Sequence, residues 1–267
     1  MAGGPAEGPE ELTLSTLEFD VLWEYLRLPS MPVVIGVPSP GRTHSERTRL
    51  ADEAWQRIEA RGLGRQINLH PLLPRYLSLL AQPEREVDGR VWVGGEVRSL
   101  AAATGQEAVH VTLAGGELTF RPISPEGLVA AVLGVLPALA AGTGHSVTLP
   151  TDDFEAAAYS AGPVRQGFAL ALTDRGVREA DVRTLTEMIS EVSGQGQFGA
   201  AARDKFGRRH RADRAVSFFD TADGRYLQVK RSQNGTPPWT TISPVDQRRL
   251  LQHVTEMLAD VVRLSGG

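Results

Sequence analysis

The chain has 267 residues, 41% of them hydrophobic and 22% charged, with a formal net charge of −4. A chain of this length buries about three-quarters of the surface that its unfolded form exposes, enough to fold without external staples. It has no cysteine, which excludes disulfides, thiolate zinc sites and a cysteine nucleophile, and its charge supplies no global basic field for nucleic acid.

Met1 to Glu10 is rich in Gly, Pro and Ala and carries no basic residue. It lacks the positive start and apolar core of a signal peptide, so residues 1–11 are expected to be a disordered tail and the protein to be cytoplasmic. Leu12-Thr13-Leu14 reads as a short strand, and Ser15 with Glu18 forms an S-x-x-E capping box that opens a helix. Thr43 and Glu46 repeat that signal before a helix from Thr43 to Arg61, which sets Leu50, Ala54 and Ile58 on one face. A second helix spans Leu72 to Ala81. Strands follow at Arg90–Val93, Val97–Ala103, Ala108–Leu113 and Glu117–Pro122, with hairpin turns at Gly94-Gly95 and Gly115-Gly116.

The longest apolar run, Leu128 to Ala141, is interrupted by Pro137. A membrane span needs about 20 apolar residues, so the run predicts a buried helix and no membrane insertion. Val147-Thr148-Leu149 reads as another short strand, and Asp152 with Asp153 places negative charge in a helix's first turn. Helical spacing recurs over Val177 to Ser193, through Val182, Leu185, Ile189 and Val192, and a further helical stretch is expected from about Phe198 to Phe206. Ala215–Asp220 and Arg225–Arg231 form a hairpin about Asp223-Gly224. A long amphipathic helix closes the chain, burying Leu250, Leu251, Val254, Met257, Leu258 and Val261.

The chain repeats itself once. Leu12-Thr13-Leu14 and Val147-Thr148-Leu149 each lead into a helix and are each followed at the same distance by Phe19 and Phe154. Ile123-Ser124-Pro125 and Ile242-Ser243-Pro244 each precede a helix, where serine caps and proline loses no hydrogen bond. The hairpin glycines Gly105 and Gly224 stand at equal distances before them. The expectation is an α+β fold with a quasi-two-fold internal repeat, halves at 12–141 and 146–264, and a central mainly antiparallel β-sheet flanked by two helical bundles.

No constellation argues for catalysis, a metal or a cofactor. Gly194-x-Gly196-x-x-Gly199 matches the dinucleotide fingerprint only as a pattern. That mechanism needs a strand before it and a helix after. A predicted helix precedes it, so Gly194 reads as a helix C-cap. His44, His70, His110, His145, His210 and His253 are scattered, and neither a G-x-S-x-G elbow nor a Walker loop is present. Asn234-Gly235-Thr236 fits a glycosylation sequon, and Asn-Gly is also a strong turn former. Arg203, Lys205, Arg208, Arg209, His210, Arg211 and Arg214 form a basic run containing only Phe206 as an aromatic. It reads first as a solvated connector, with an anion- or nucleic-acid-binding module as the alternative.

Gly196-Gln197-Phe198-Gly199-Ala200-Ala201, Gly207-Arg208-Arg209 and Phe219-Asp220-Thr221-x-x-Gly224-Arg225-Tyr226-Leu227 together resemble the signature of the EspG family of ESX secretion-associated proteins. The opening Leu12-Thr13-Leu14 with Glu18, Phe19, Val21 and Leu22, and the closing Trp239 with Ile242, Pro244 and Asp246, resemble that family's ends. The resemblance runs from about Leu12 to Val262. It implies one EspG-like domain over 12–264 and a cytoplasmic, non-enzymatic chaperone of a type VII (ESX) secretion system with no cofactor. Such a protein caps the apolar tip of a helical PE/PPE-like substrate, keeping it soluble and marking it for export. The resemblance also implies a long loop between early strands, whereas here the turn Val93-Gly94-Gly95-Glu96-Val97 is short.

A cap needs aromatic and polar side chains on rigid strands. The second-half hairpin offers Phe218, Phe219, Tyr226, Gln228, Val229, Lys230 and Arg231. Neighbours on a strand point to opposite faces, and the sequence leaves open which set faces out. The outward set, with Phe198 and Trp92, is expected to form the partner surface.

Overall fold

In a computed structural model, residues 11–161, 165–189, 191–232 and 236–266 are described. The tail up to Glu10 and most of Asn234-Gly235-Thr236 lie outside them. The chain forms two compact units. One comprises the chain through Gly89 with Glu96–Val135 and Ala202–Arg209, and the other comprises Arg90–Gly95, Leu136–Ala201 and the chain from His210 onward.

The first unit opens with β1 (Leu12–Ser15) and α1 (Thr16–Tyr25). Ser15 accepts from the Glu18 amide at 3.3 Å and its own amide donates to Glu18 Oε2 at 2.7 Å, the reciprocal pair the capping box demands. α2 (His44–Ala60) is capped by Thr43, whose hydroxyl accepts from the Glu46 amide at 3.2 Å. A short hairpin of β2 (Gly64–Arg65) and β3 (Asn68–Leu69) leads to α3 (Leu72–Ala81). β4 (Arg85–Val93), β5 (Glu96–Thr104), β6 (Glu107–Ala114) and β7 (Glu117–Pro122) follow, then α4 (Leu128–Leu133). The strand order is β1-β7-β6-β5-β4. Alternation decides the core: Leu12 and Leu14 oppose Phe120 and Leu118, and Val109, Val111, Leu100 and Ala102 extend the same face. That face packs on Phe19, Leu22 and Trp23 of α1, Ile58 of α2, and Leu73, Tyr76, Leu77 and Leu80 of α3. Each such large side chain contributes about 1.5–3 kcal/mol on burial.

The second unit repeats the plan with β8 (Val147–Pro150), α5 (Thr151–Ala161), α6 (Arg165–Asp174), α7 (Glu179–Met188), β9 (Gly194–Arg203), β10 (Arg209–Arg211), β11 (Val216–Thr221), β12 (Gly224–Arg231), β13 (Trp239–Pro244) and α8 (Gln247–Ser265). Its strands run β8-β13-β12-β11-β9, and β10 pairs with β9. Val147, Leu149, Ile242, Tyr226 and Phe219 line one face, covered by Ala157 of α5, Phe168 and Leu172 of α6, and Val182, Leu185 and Met188 of α7. The fold class is α+β with antiparallel pairing between successive strands.

Several sequence expectations are corrected. The stretch expected as a helix from Phe198 to Phe206 begins in strand β9. Its alanines favour a helix, yet Gly199 costs a helix about 1 kcal/mol. Gly194 is no helix C-cap, because α7 ends at Met188 and Gly194 opens β9. A Cβ at Gly196 would lie 2.7 Å from the Arg90 carbonyl and 2.8 Å from Val91 Cα, so the glycine serves a close backbone approach. The run from Leu128 stays helical only to Leu133, and Ala141 forms a parallel bridge with Arg225. Ile242-Ser243-Pro244 lies within β13, and Asp246 caps α8 by accepting from the Arg249 amide at 2.7 Å. Register places Ile242 opposite Val147 as it places Phe120, and not Ile123, opposite Leu12.

Candidate partner-binding surface

The hairpin of β11 and β12 pairs Val216 with Val229, Phe218 with Leu227 and Asp220 with Arg225 on one face, and Phe219 with Tyr226 and Ser217 with Gln228 on the other. The Phe219 and Tyr226 rings stack at 5.2 Å beneath the helices α5 to α7. On the opposite face Phe198 and Phe218 stack at 5.7 Å. Phe198, Phe218, Phe219, Tyr226 and Val229 are all buried. The expectation that one aromatic set faces a partner is therefore corrected: this part of the hairpin is covered on both faces, and its aromatics are core.

Exposure begins where the hairpin ends. Gln228 is half-buried, Lys230 and Arg231 are exposed, and Trp239 of β13, directly opposite Arg231, is 47% exposed. Lys230 Nζ donates to Glu155 Oε1 of α5 at 3.0 Å, joining the strand end to the helical layer. Trp92 is 57% exposed but stands elsewhere. Its carbonyl lies 3.3 Å from where a Cβ on Gly194 would sit, and Gly194 pairs with Asp220 at the other end of the hairpin. Six residues of strand separate Arg225 from Arg231, roughly 20 Å. The candidate residues left outside the core are therefore Gln228 and Lys230 on the face of the sheet that carries α5, and Arg231 and Trp239 on the opposite face, and Trp92 stands apart from all four. Helices α5 and α6 also present two large exposed apolar side chains, Tyr159 and Leu170. Sequence reading missed both because α6 was not foreseen and Tyr159 sits outside any apolar periodicity.

Behind this surface the hairpin is locked. Arg225, 0% exposed, donates from Nε and Nη2 to Asp220 at 2.7 and 2.8 Å, from Nη1 to Gln247 Oε1 at 2.8 Å, and from Nη2 to the Pro137 carbonyl at 3.1 Å. Its guanidinium also lies 5.1 Å from the Phe218 ring centroid. The Tyr226 hydroxyl accepts from the Thr143 amide at 3.1 Å, and a Cβ at Gly142 would fall 2.1 Å from that ring.

Most cations of the basic run have partners within the protein. Arg203 Nη1 donates to the Gly207 carbonyl at 2.9 Å, Arg209 pairs with Glu86, and Arg214 pairs with Asp260 at 2.8 Å. His210 and Arg211 also have partners. Such a connector leaves little free charge for a nucleic-acid groove. Among the described residues, no group of three His, Asp or Glu could hold a metal ion, and no helix is long and apolar enough to cross a membrane.

The sequence model of the EspG family matches residues 15–256, nearly the whole chain. The chain belongs to the EspG family. Among curated EspG proteins it is 26% identical over 229 residues to the ESX-1 secretion-associated protein EspG1 of Mycobacterium tuberculosis (strain ATCC 25618 / H37Rv), covering 80% of this chain and 75% of that one. Among solved structures it matches the Mycobacterium tuberculosis type VII secretion system chaperone EspG5, which was determined in complex with a PE25–PPE41 dimer. That match has a TM-score of 0.71 at 16% identity and covers 94% of this chain and 96% of the other, a likeness of fold.

Most of the residues that carry the EspG resemblance in the sheet are structural. Gly196 admits the Arg90 backbone, Phe198, Ala200 and Ala201 are core, and Asp220 and Arg225 form the buried pair. A Cβ at Gly224 would meet the Gly142 amide at 2.7 Å.

Proposed function

We propose that this protein is a cytoplasmic, non-enzymatic chaperone of a type VII (ESX) secretion system that caps the apolar tip of a helical PE/PPE-like substrate. The observation that carries the reading is the near-complete fold correspondence with EspG5, a chaperone whose structure was determined in complex with a PE25–PPE41 dimer, joined to family membership over residues 15–256. An exposed apolar patch of several hundred Å² promotes self-association, and a cap removes it from water. The unit over 12–264 is read as two similar halves, supported by the shared strand order. The contact is assigned to the open end of this hairpin, Gln228 and Lys230 on one face and Arg231 with Trp239 on the other, supported by the exposure of Lys230, Arg231 and Trp239 on a hairpin locked by Arg225.

The test is co-purification with PE–PPE heterodimers from the source cell, followed by the double variant Lys230→Glu, Arg231→Glu. The wild-type chain is expected to hold one heterodimer stoichiometrically. The double variant is expected to lose it with Tm unchanged within a few degrees, since surface substitutions typically cost under about 0.5 kcal/mol. Failure of the wild-type protein to retain any heterodimer overturns the chaperone reading. Retention by the double variant, with loss in Tyr159→Glu or Leu170→Glu, moves the contact to the helices of the second unit.

A further inference from the structure

The turn between β9 and β10 is a built element. Asp204 Oδ1 accepts from the Phe206 and Arg208 amides, each at 2.9 Å, and the Asp204 amide donates to the Arg208 carbonyl at 2.9 Å. The Gly207 amide donates to the Asp204 carbonyl at 2.9 Å, while Arg203 Nη1 donates to the Gly207 carbonyl. Gly207 adopts φ 78°, a conformation glycine reaches without steric cost. Five hydrogen bonds thus organise a five-residue tip, and its product is Phe206 held 71% exposed.

Two cations accompany the ring. Lys205 Nζ lies 5.5 Å and the Arg208 guanidinium carbon 5.4 Å from its centroid. Among the described residues neither Lys205 nor Arg208 has an ion pair, whereas Arg209 and Arg214 are each held by a carboxylate of the protein itself. The basic run therefore divides into residues that hold the fold and two that face outward around an aromatic.

We propose that this tip is a docking knob for an acidic segment of a protein partner, with Phe206 as the apolar anchor and Lys205 and Arg208 pairing with carboxylates beside it. Interface anchors of this kind are rigid aromatics ringed by polar groups. An anionic lipid surface fits less well. The cations lie against the ring, so sinking it into hydrocarbon would drag two charges out of water, whereas carboxylates at a protein surface neutralise them. One aromatic also gives no stacking platform for successive bases. The inference is independent of the substrate-capping surface and implies a second contact.

The test places 4-fluorophenylalanine at position 206 of the full chain and follows its fluorine resonance. The probes are a ten-residue peptide of glutamate pairs alternating with leucine or phenylalanine, its glutamine counterpart, inorganic phosphate, and vesicles of phosphatidylcholine with phosphatidylglycerol. The acidic peptide is expected to shift the resonance saturably, with affinity falling at least tenfold between low and high salt. The glutamine peptide is expected to have at least a tenfold weaker effect, and Lys205→Glu with Arg208→Glu to abolish the shift while Tm holds. No response to the acidic peptide, an equal response to the glutamine peptide, or a stronger response to phosphate or vesicles overturns the proposal. The peptide comparison uses the unmutated loop cations, so it decides the matter even if the double variant fails to fold.

Discussion

Arg225 and Asp220 stand opposite one another on β12 and β11 and form a two-point ion pair at 2.7 and 2.8 Å with essentially no access to water. The pair's remaining donors go to Gln247 and to the Pro137 carbonyl, so one guanidinium ties a hairpin to the first turn of α8 and to the segment before β8. Removing one member leaves the other charge buried and unpaired, which costs about 3–5 kcal/mol. Arg225→Met and Asp220→Asn are each expected to lower stability by that amount in denaturant unfolding. The double variant Asp220→Leu, Arg225→Met is expected to recover part of the loss. A single-variant loss under 1 kcal/mol would show that water reaches the site.

Two glycines separate close approach from backbone conformation. Gly196 has no positive φ, but an added Cβ would press on the Arg90 carbonyl at 2.7 Å. Gly94 has φ 78° and open space around it. Gly196→Ala is expected to cost about 1–3 kcal/mol through overpacking, and Gly94→Ala about 1–2 kcal/mol through the left-handed conformation alone. Gly94→Asn should restore much of the second loss and Gly196→Asn none of the first. Chemical unfolding of the four variants checks this.

His110 introduces a pH dependence. It lies buried on β6, its Nε2 2.7 Å from Ser99 Oγ and its neighbour across the strands Arg121. Burial, then the Arg121 charge, lowers its pKa from 6.5 to about 4. Folding therefore favours the neutral ring. The stability is fully present above about pH 6.5 and is lost as pH falls toward 4, up to about 3 kcal/mol. Unfolding midpoints measured from pH 7.5 to 4.5 should fall more steeply for the wild-type protein than for His110→Asn, and parallel slopes would refute the assignment.

Ser15→Ala removes the acceptor of the Glu18 amide and is expected to cost about 0.5–2 kcal/mol. Glu18 also accepts from Arg61 at 2.7 Å, linking the start of α1 to the end of α2. Glu18→Ala is therefore expected to cost more than Ser15→Ala, and an equal loss would show that the link to Arg61 contributes nothing. Thermal unfolding compares the two.

Local chemistry made much of this fold readable. The capping signals at Ser15 and Thr43, the glycine turns at 94–95 and 115–116, and the shared helix face of Ala54 and Ile58 all predict elements found in place. Reading failed where tertiary contacts override propensity. The Gly196–Arg203 segment has helix-favouring alanines but is a strand, and Gly196 fits against a neighbouring backbone that no local pattern discloses. The candidate surface was legible only in part. Period-two alternation correctly separated the hairpin's two faces, yet it could not reveal that both are covered at Phe218 and Phe219, leaving Lys230, Arg231 and Trp239 outside. Exposure on that scale is set by which elements pack on the sheet, and strand sequence alone carries little of it.

The pairing of Arg209 with the nearly buried Glu86 has a consequence for biosynthesis. The first unit takes Ala202–Arg209 as part of itself, though these residues are translated long after the rest of it. Domains ordinarily fold as they emerge, N-terminal first. Here a nascent chain that has released residues 11–135 still lacks the guanidinium that neutralises Glu86 and the Arg203 amide that donates to the Glu84 carbonyl at 2.8 Å. The first unit cannot reach its final bonding before most of the second has been synthesised. A ribosome stalled between the codons for Val135 and Ala202 would hold a protease-sensitive intermediate, and translation past Arg209 would be the step that removes it.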